Sequence, residues 1–567
     1  MSSKTVKILV LAAFGVAGVS AMAQSFRVQC PTSTITHPSN PNNNSSEPAY
    51  TAPTTLVQGP NGYLVPSTNV NGAIKCQQIS GGDGYSTMAN GTQTFMFSFG
   101  PLSGLADIAA GLPGTEFPNV FNNPYSAGNL LPGDPATTDA IDTTVSPYPF
   151  VSNTTTGSAA PFSYNGAVGL APDADAIALG ACTAPCLDGH VDPRQIMDIG
   201  VMNGNIPAPL MAIDEDDEFF LTLSNVGMIM RPDLFEQHTV HFHGYPNASS
   251  FYDGVPDASV AINIGGSFTY YYLAPDAGTY FWHCHITPPE HLQMGMVGQI
   301  YVRPRQNRVV VGTNLRTALA WQNQDLRTAC NPTSDILCTA VLPNPATDSL
   351  LTLPGATQQN DNIGTTATNP NHGQPYKYAY NDGDGLTAYN VEYPLQIHGF
   401  DPNFHFVGMT FNPEAFVDMK DKFFLLNGRS YPDTATPGPL TTMSSDGRNH
   451  FSQPLPSIIN IPAGGKALLR ISDLDVTEYQ TLASLGIPMH VIGYNAKLLR
   501  DQSGNNLDYF TNSITLAGGE SLDVILDASN TTAYPAGSVF YLYTPQLDHL
   551  ANDQENFGGL MTEVHIN

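Results

Sequence analysis

Two short stretches constrain this chain more than any other feature: His238-Thr-Val-His241-Phe-His243-Gly244, and His283-Cys284-His285 followed by His291 and Met294-Gly295-Met296. Six of the fifteen histidines fall between 238 and 291, together with one cysteine. Side chains alternate between the two faces of a β-strand. His241 and His243 therefore share one face, while His238, three residues earlier, takes the other. In the second stretch His283 and His285 point one way and Cys284, between them, points the opposite way. Pairing two such strands sorts the side chains into two groups. His238 and Cys284 meet on one side, where the following loop returns His291 and Met296; His241, His243, His283 and His285 remain on the other.

The rest of the composition suits such strands. Charged residues make up 12% of the chain, Gly and Pro number 51 and 46, and aromatic and β-branched residues are plentiful, as in short strands joined by turns. The expected fold class is all-β. At 567 residues the chain has room for roughly three or four units of about 150 residues. With 20 Lys plus Arg against 48 Asp plus Glu, the formal charge is −28, which argues against nucleic acid or an anionic membrane surface as partner. An acidic surface of this kind instead steers a cationic one.

Residues 1–23 read as a signal peptide: Lys4 and Lys7 precede an apolar run from Ile8 to Val19, and Ala21-Met22-Ala23 offers a cleavage site. The expected location is periplasmic or secreted, with no membrane span. Of seven cysteines, Cys284 is left free, and proximity suggests the bridges Cys182–Cys186 and Cys330–Cys338, leaving Cys30 for Cys76. Residues 24–190 are rich in Asn, Pro, Gly, Ser and Thr and read as an irregular lead-in. A compact β-domain is expected over 191–305, a connector with early strands over 306–410, and a second β-domain over 411–567.

Two imidazoles, a thiolate and a weak thioether make the ligand set of a blue-copper electron-transfer centre. His238, Cys284, His291 and Met296 supply it here, with Met294 as the rival thioether. Zinc has no need of the methionine. Four further histidines on one face would be costly if charged, which argues that they too hold a metal, with copper the expected occupant.

These residues also carry a resemblance. Asn203-Gly-Asn-Ile-Pro, His241-Phe-His243-Gly, Asp253-Gly-Val-Pro, Gly278-Thr-Tyr-Phe-Trp-His-Cys-His and Gly295-Met296 resemble, in order, landmarks of the multicopper oxidases, including two-domain laccase-like proteins and copper nitrite reductases. The resemblance implies two cupredoxin-like Greek-key β-sandwich domains, and it favours Met296 as the axial ligand of a type 1 copper. It further implies that His241 corresponds to a type 2 copper ligand, and His243, His283 and His285 to type 3 ligands. In two-domain members the second half of that copper site comes from a second domain, commonly a neighbour's in a homotrimer.

The second half departs from the pattern. Ile487-Pro-Met-His490-Val-Ile492-Gly keeps His490 but has Ile492 where an imidazole belongs, and Phe540-Tyr-Leu-Tyr-Thr-Pro545 replaces the second histidine strand. His490 is the second-domain candidate for copper. His549 could stand near an open position; His398 and His405 read as core or surface residues; and His37, His190, His372, His450 and His565 belong to no constellation. The expected function is a multicopper oxidase-like oxidoreductase. Electrons from a small molecule, a metal ion or a cationic redox protein would enter at type 1 copper and reach a second, type 2/type 3-like copper site at His241, His243, His283 and His285, where oxygen or another small acceptor is reduced. The alternatives are a non-enzymatic cupredoxin for electron transfer or copper binding, and a nitrite reductase-like enzyme, although His241 sits where those reductases place an acidic proton donor.

Overall fold

The computed structural model describes residues 29–38, 45–121, 203–322 (apart from 229, 232, 245–248, 275, 311–312 and 314), 377–408, 415–443, 449–501 and 505–567. The signal peptide, the two short-range bridges, His190 and His372 lie outside these residues. Cys30 and Cys76 are joined in a disulfide, and Cys284 is free and buried.

The first sandwich follows a hairpin of β1 (Thr55–Gln58) and β2 (Leu64–Thr68). It comprises β3 (Ile74–Thr87), β4 (Gln93–Pro101), β5 (Met211–Asp214), β6 (Glu218–Gly227), β7 (His241–Phe242), β8 (Ser267–Leu273), β9 (Gly278–His283) and β10 (Val297–Arg303). One sheet runs β5-β10-β9-β7 and the other β4-β3-β6-β8. Parallel pairing of β3 with β6 and of β5 with β10 marks crossovers between the sheets in an otherwise antiparallel arrangement.

Placing β3 and β4 in this sandwich corrects the reading of residues 24–190 as irregular lead-in. The glycines and serines of Ile74–Thr87 disguise a strand buried on both faces, and Phe95, Phe97 and Phe99 of β4 recur at every second position and all enter the core.

The second sandwich is entered earlier than residue 411. After β11 (Lys377–Tyr378) and β12 (Ala388–Tyr389), the strand β13 (Val391–Phe400) pairs with β18 (Lys466–Asp473) inside its larger sheet. The remaining strands are β14 (Phe423–Leu426), β15 (Leu440–Met443), β16 (Asn449–Gln453), β17 (Ile459–Ile461), β19 (Gln480–Leu485), β20 (Met489–Tyr494), β21 (Lys497–Leu498), β22 (Tyr509–Thr511), β23 (Ser513–Leu516), β24 (Glu520–Asp527), β25 (Val539–Tyr543) and β26 (Met561–Ile566). The larger sheet runs β14-β13-β18-β24-β20-β21, with β22 on β20; it faces β17-β26-β25-β19-β23. The fold is all-β, two Greek-key sandwiches of the cupredoxin type. Among the described residues no helix is long and apolar enough to cross a membrane.

The two sandwiches meet across β9 and β10. Thr279 donates to Asp523 at 2.5 Å, Ser521 donates to the carbonyl of Thr279 at 2.8 Å, and the Gln299 amide donates to both Arg470 and Ser472 of β18 at 2.9 Å. This contact puts the far side of β9 against the second sandwich.

Candidate metal centre

Strand β9 carries the site because of its alternation. Tyr280, Trp282 and, just past its end, Cys284 point into the core of the first sandwich, whereas Phe281 packs with Leu292, Val297 and Leu474 towards the second. His283 takes the Phe281 side. Strand β7 pairs with β9 so that His241 stands opposite His283 and Phe242 opposite Trp282, and Phe242 enters the same core as Trp282.

On the core side, the ligand atoms of His238, Cys284 and His291 lie within 4.8 Å of one another, and all three residues are buried. Both rings turn Nδ1 towards the sulfur, His291 at 3.2 Å and His238 at 4.0 Å. His291 comes from the helix Pro288–Gln293, which starts after Thr287 in a left-handed conformation (φ +37°). The backbone N–H of Met296 bonds the carbonyl of His291, and its carbonyl accepts from the N–H of Cys284. Met294 and Met296 are both fully buried in the core cluster that holds Cys284.

Burial alone would push the Cys284 thiol up, but His291 and His238 beside it hold it well below the usual thiol range. The N–H of Thr239 also points at the sulfur, at 3.4 Å. His291 is pushed up to about 9: burial works against its charge, but the sulfur and then Glu236 outweigh it. A thiolate flanked by two Nδ1 atoms, with polarizable methionine sulfur in the same core, matches a soft, copper-preferring donor set.

On the other side, ring nitrogens of His241, His243 and His283 also converge within 4.8 Å. Nε2 of His243 and Nε2 of His283 are 2.8 Å apart. Nδ1–H of His241 donates to the carbonyl of Asp253 at 2.6 Å, and Nδ1–H of His283 donates to the carbonyl of Cys284 at 2.7 Å. These bonds leave the Nε2 lone pairs of both rings for a cation. Burial and then neighbouring imidazoles bring His243 down to about 4, and burial brings His283 down to about 3, so both are neutral at pH 7 and free to bind a metal. His285 stands at the edge of this group, its ring centroid 5.0 Å from that of His241. A cavity of about 470 Å³ opens beside His243 and His283, and its opposite wall is the chain's own second sandwich, at residues 474–479 and 517–519.

The family model described as multicopper oxidase matches residues 188–307. Over these residues, about a fifth of the chain, the protein is similar to a multicopper oxidase domain. The chain is 33% identical over 109 residues to laccase abr2 of Aspergillus fumigatus, covering 19% of this chain and 17% of the laccase. It is 35% identical over 109 residues to a copper-containing nitrite reductase of Rhizobium meliloti, covering 18% and 26%. The chain thus spans well under two thirds of either relative. Among solved structures, the blue copper oxidase of Nitrosomonas europaea aligns with 19% identity and a TM-score of 0.40, covering 64% of this chain and 78% of that one.

Outside the multicopper oxidase domain, the second-sandwich histidines are engaged elsewhere. His490 does not reach the histidine group of this chain: its Nε2 bonds Asp508 at 2.8 Å and its ring stacks on Phe510, because β20 turns it towards the edge strand β22. His549 stacks on Phe424 and bonds Gln480 and Glu478; His398 bonds the carbonyl of Leu292; His405 bonds the carbonyls of Phe95 and Gln293. Several residues around the site carry no signal of their own in the sequence. Glu236 stands 3.6 Å from Nε2 of His291, Asp253 orients His241 through its backbone, and Gly81 of β3 lies against the ring of His238. Asp253 was visible inside the Asp-Gly-Val-Pro landmark, but only as a landmark.

Proposed function

We propose that this protein is an exported copper oxidoreductase. His238, Cys284 and His291, with Met296 in the same core, would hold one copper, and His241, His243 and His283, with His285 beside them, would hold a second. Copper at the first site would accept single electrons from an outside donor, and copper at the second would pass them to oxygen or another small acceptor. The observation that carries this reading is the bond between neighbours: the imidazole of His283 donates to the carbonyl of Cys284, so the two ligand groups are joined through one residue and one hydrogen bond. The similarity of about 109 residues of the chain to a laccase and to a copper-containing nitrite reductase supports it.

The protein's own groups have defined tasks in this scheme. Cys284 and His291 bury the first centre in a low-polarity core, while Glu236 at the rim marks the side from which a donor approaches. The acidic surface favours a metal cation or a cationic redox protein as donor over a neutral molecule. His243 and His283 face the cavity and would meet the acceptor.

One observation favours a second reading, a cupredoxin that only carries electrons or binds copper. Ile492 stands where the resemblance expects an imidazole, Phe540-Tyr-Leu-Tyr-Thr-Pro545 takes the place of the second histidine strand, and His490 is tied to Asp508. Copper stoichiometry with electron paramagnetic resonance separates the two. A blue signal with additional type 2 copper and oxygen- or nitrite-dependent turnover supports the oxidoreductase; one blue copper per chain without turnover supports the carrier.

A further inference from the structure

The cavity wall opposite His243 and His283 contains Asp475, Thr477 and Glu478, and Asp421 stands behind it. Asp475 Oδ1 accepts the N–H of Thr477 at 2.8 Å and that of Glu478 at 3.2 Å, while Oδ2 accepts the Gln480 amide at 2.6 Å. Asp421 Oδ1 accepts the Gln293 amide at 2.8 Å. The hydroxyl of Thr477 touches both carboxyls, Oδ2 of Asp421 and, at 2.9 Å, Oδ1 of Asp475. Gly399 leaves room for this arrangement: a Cβ there would stand 2.1 Å from Oδ2 of Asp421 and 2.6 Å from Oδ2 of Asp475.

A threonine hydroxyl has one hydrogen to give, and an ionised carboxylate can only accept. With both aspartates ionised, one of the two Thr477 contacts would set oxygen lone pairs against each other in a buried place. One proton on the pair removes the conflict, because the protonated carboxyl donates to Thr477 Oγ1 and the hydroxyl donates to the other carboxylate. The surroundings favour keeping that proton. Burial, and then the charge of Asp475, hold the Asp421 carboxyl well above its ordinary range, and burial does the same for Asp473 nearby. The other titratable groups facing the pair are His398, whose buried Nδ1 has no partner, Glu520 beside Asp473, and Glu478 with its partner His549. Among the described residues, no arginine or lysine pairs with either aspartate.

We propose that Asp421, Thr477 and Asp475 form a proton relay that opens on the cavity beside His243 and His283. The pair itself stands on geometry; its use in acceptor reduction rests on the oxidoreductase reading. The O–H bond of Asp421 breaks as its hydrogen passes to Thr477 Oγ1. The hydroxyl's own hydrogen moves on to form a new O–H bond on Asp475, and Asp475 releases a proton to an oxygen of the acceptor. Dioxygen takes up one proton for each electron on its way to water, so each electron from the outside donor is matched by one passage, and solvent reprotonates Asp421.

Infrared difference spectroscopy on the full chain at neutral pH, with and without bound copper, tests the pair. A protonated-carboxyl C=O band sensitive to D2O should be lost in Asp421→Asn, shifted in Asp475→Asn and in Thr477→Val, and kept in Thr477→Ser. Comparing variants with the native chain separates this pair from other buried acids such as Glu116. A spectrum unchanged by the two Asn substitutions, or by Thr477→Val, overturns the proposal. In copper-loaded, reduced protein, Thr477→Val should slow reoxidation by oxygen about tenfold or more with the blue band unaltered, and Thr477→Ser should restore it. Equal rates in Thr477→Val and native protein overturn the relay. A native protein that shows the band but is not reoxidised by oxygen counts instead against oxygen as the acceptor in the oxidoreductase reading, and the infrared result still decides the pair.

Discussion

The sulfur of Cys284 lies 3.2 Å from Nδ1 of His291, and the ring is fixed in place by Phe97, which packs edge-on against it at 5.1 Å. A ring so held cannot swing away when the sulfur is removed. Cys284→Ser should therefore keep the fold and the two imidazoles but lose the soft thiolate. The copper-loaded variant is expected to lose the intense visible band, with copper at the histidine face retained. Visible absorption and electron paramagnetic resonance on the same sample check this; a persistent blue band would remove Cys284 from the centre.

Gly81 tests the same centre without touching a ligand. A Cβ at position 81 would sit 2.5 Å from Cδ2 of His238 and 3.0 Å from its Cγ, too close for the imidazole to stay where it is. The ring is fully buried, so it must move relative to Cys284 rather than towards solvent. Gly81→Ala should shift the visible band and the reduction potential of the blue centre while leaving the type 2 signal of the histidine face unchanged.

Gly81 also shows where the sequence stops being legible. The two histidine stretches reveal their partition because a ligand's face follows from strand parity alone, and the structure brings His238 to Cys284 and His241 to His283 accordingly. Strand β3 hides because Ser80-Gly-Gly-Asp-Gly84 has turn chemistry locally; only pairing with β4 and β6 on both sides makes it a strand. His490 misleads for a related reason. Its strand resembles the family's histidine strand, but the side chain's fate is decided by Asp508 and Phe510, eighteen and twenty residues away, which no local pattern ties to it. The carboxyl pair at Asp421 and Asp475 is likewise a product of tertiary contact.

The junction between the sandwiches depends on Glu392. Its carboxylate accepts from Arg303 of β10 at 2.5 and 3.0 Å and from Arg470 of β18 at 3.1 Å, and Tyr389 donates to it at 2.9 Å. Burial opposes its charge, but Arg303 and Arg470 outweigh it and hold the carboxyl down to about 2. Glu392→Gln leaves Arg470 buried with less charge compensation, and should cost about 3–5 kcal/mol in chemical unfolding. The sign with pH follows from the lowered value. The stabilisation is complete above the ordinary 4.5 and is lost as pH falls towards about 2, so the variant should show a flatter acid limb than the native protein.

His490 decides whether the second sandwich contributes metal chemistry. Within the chain its imidazole is spent on Asp508, with the ring laid on Phe510, and the wall facing His243 and His283 is built from residues 474–479 and 517–519 instead. His490→Ala should then leave copper content, blue absorption and the type 2 signal as they are, and cost about 1 kcal/mol of stability from the lost hydrogen bond and stacking. Loss of one copper per chain would point the other way. Since the described contacts keep His490 from its own chain's histidines, a copper it ligates would have to be shared with a neighbouring subunit. Light scattering on native and variant protein, with and without copper, then becomes the deciding measurement, because a shared site ties the oligomer to the metal and a site completed within one chain does not.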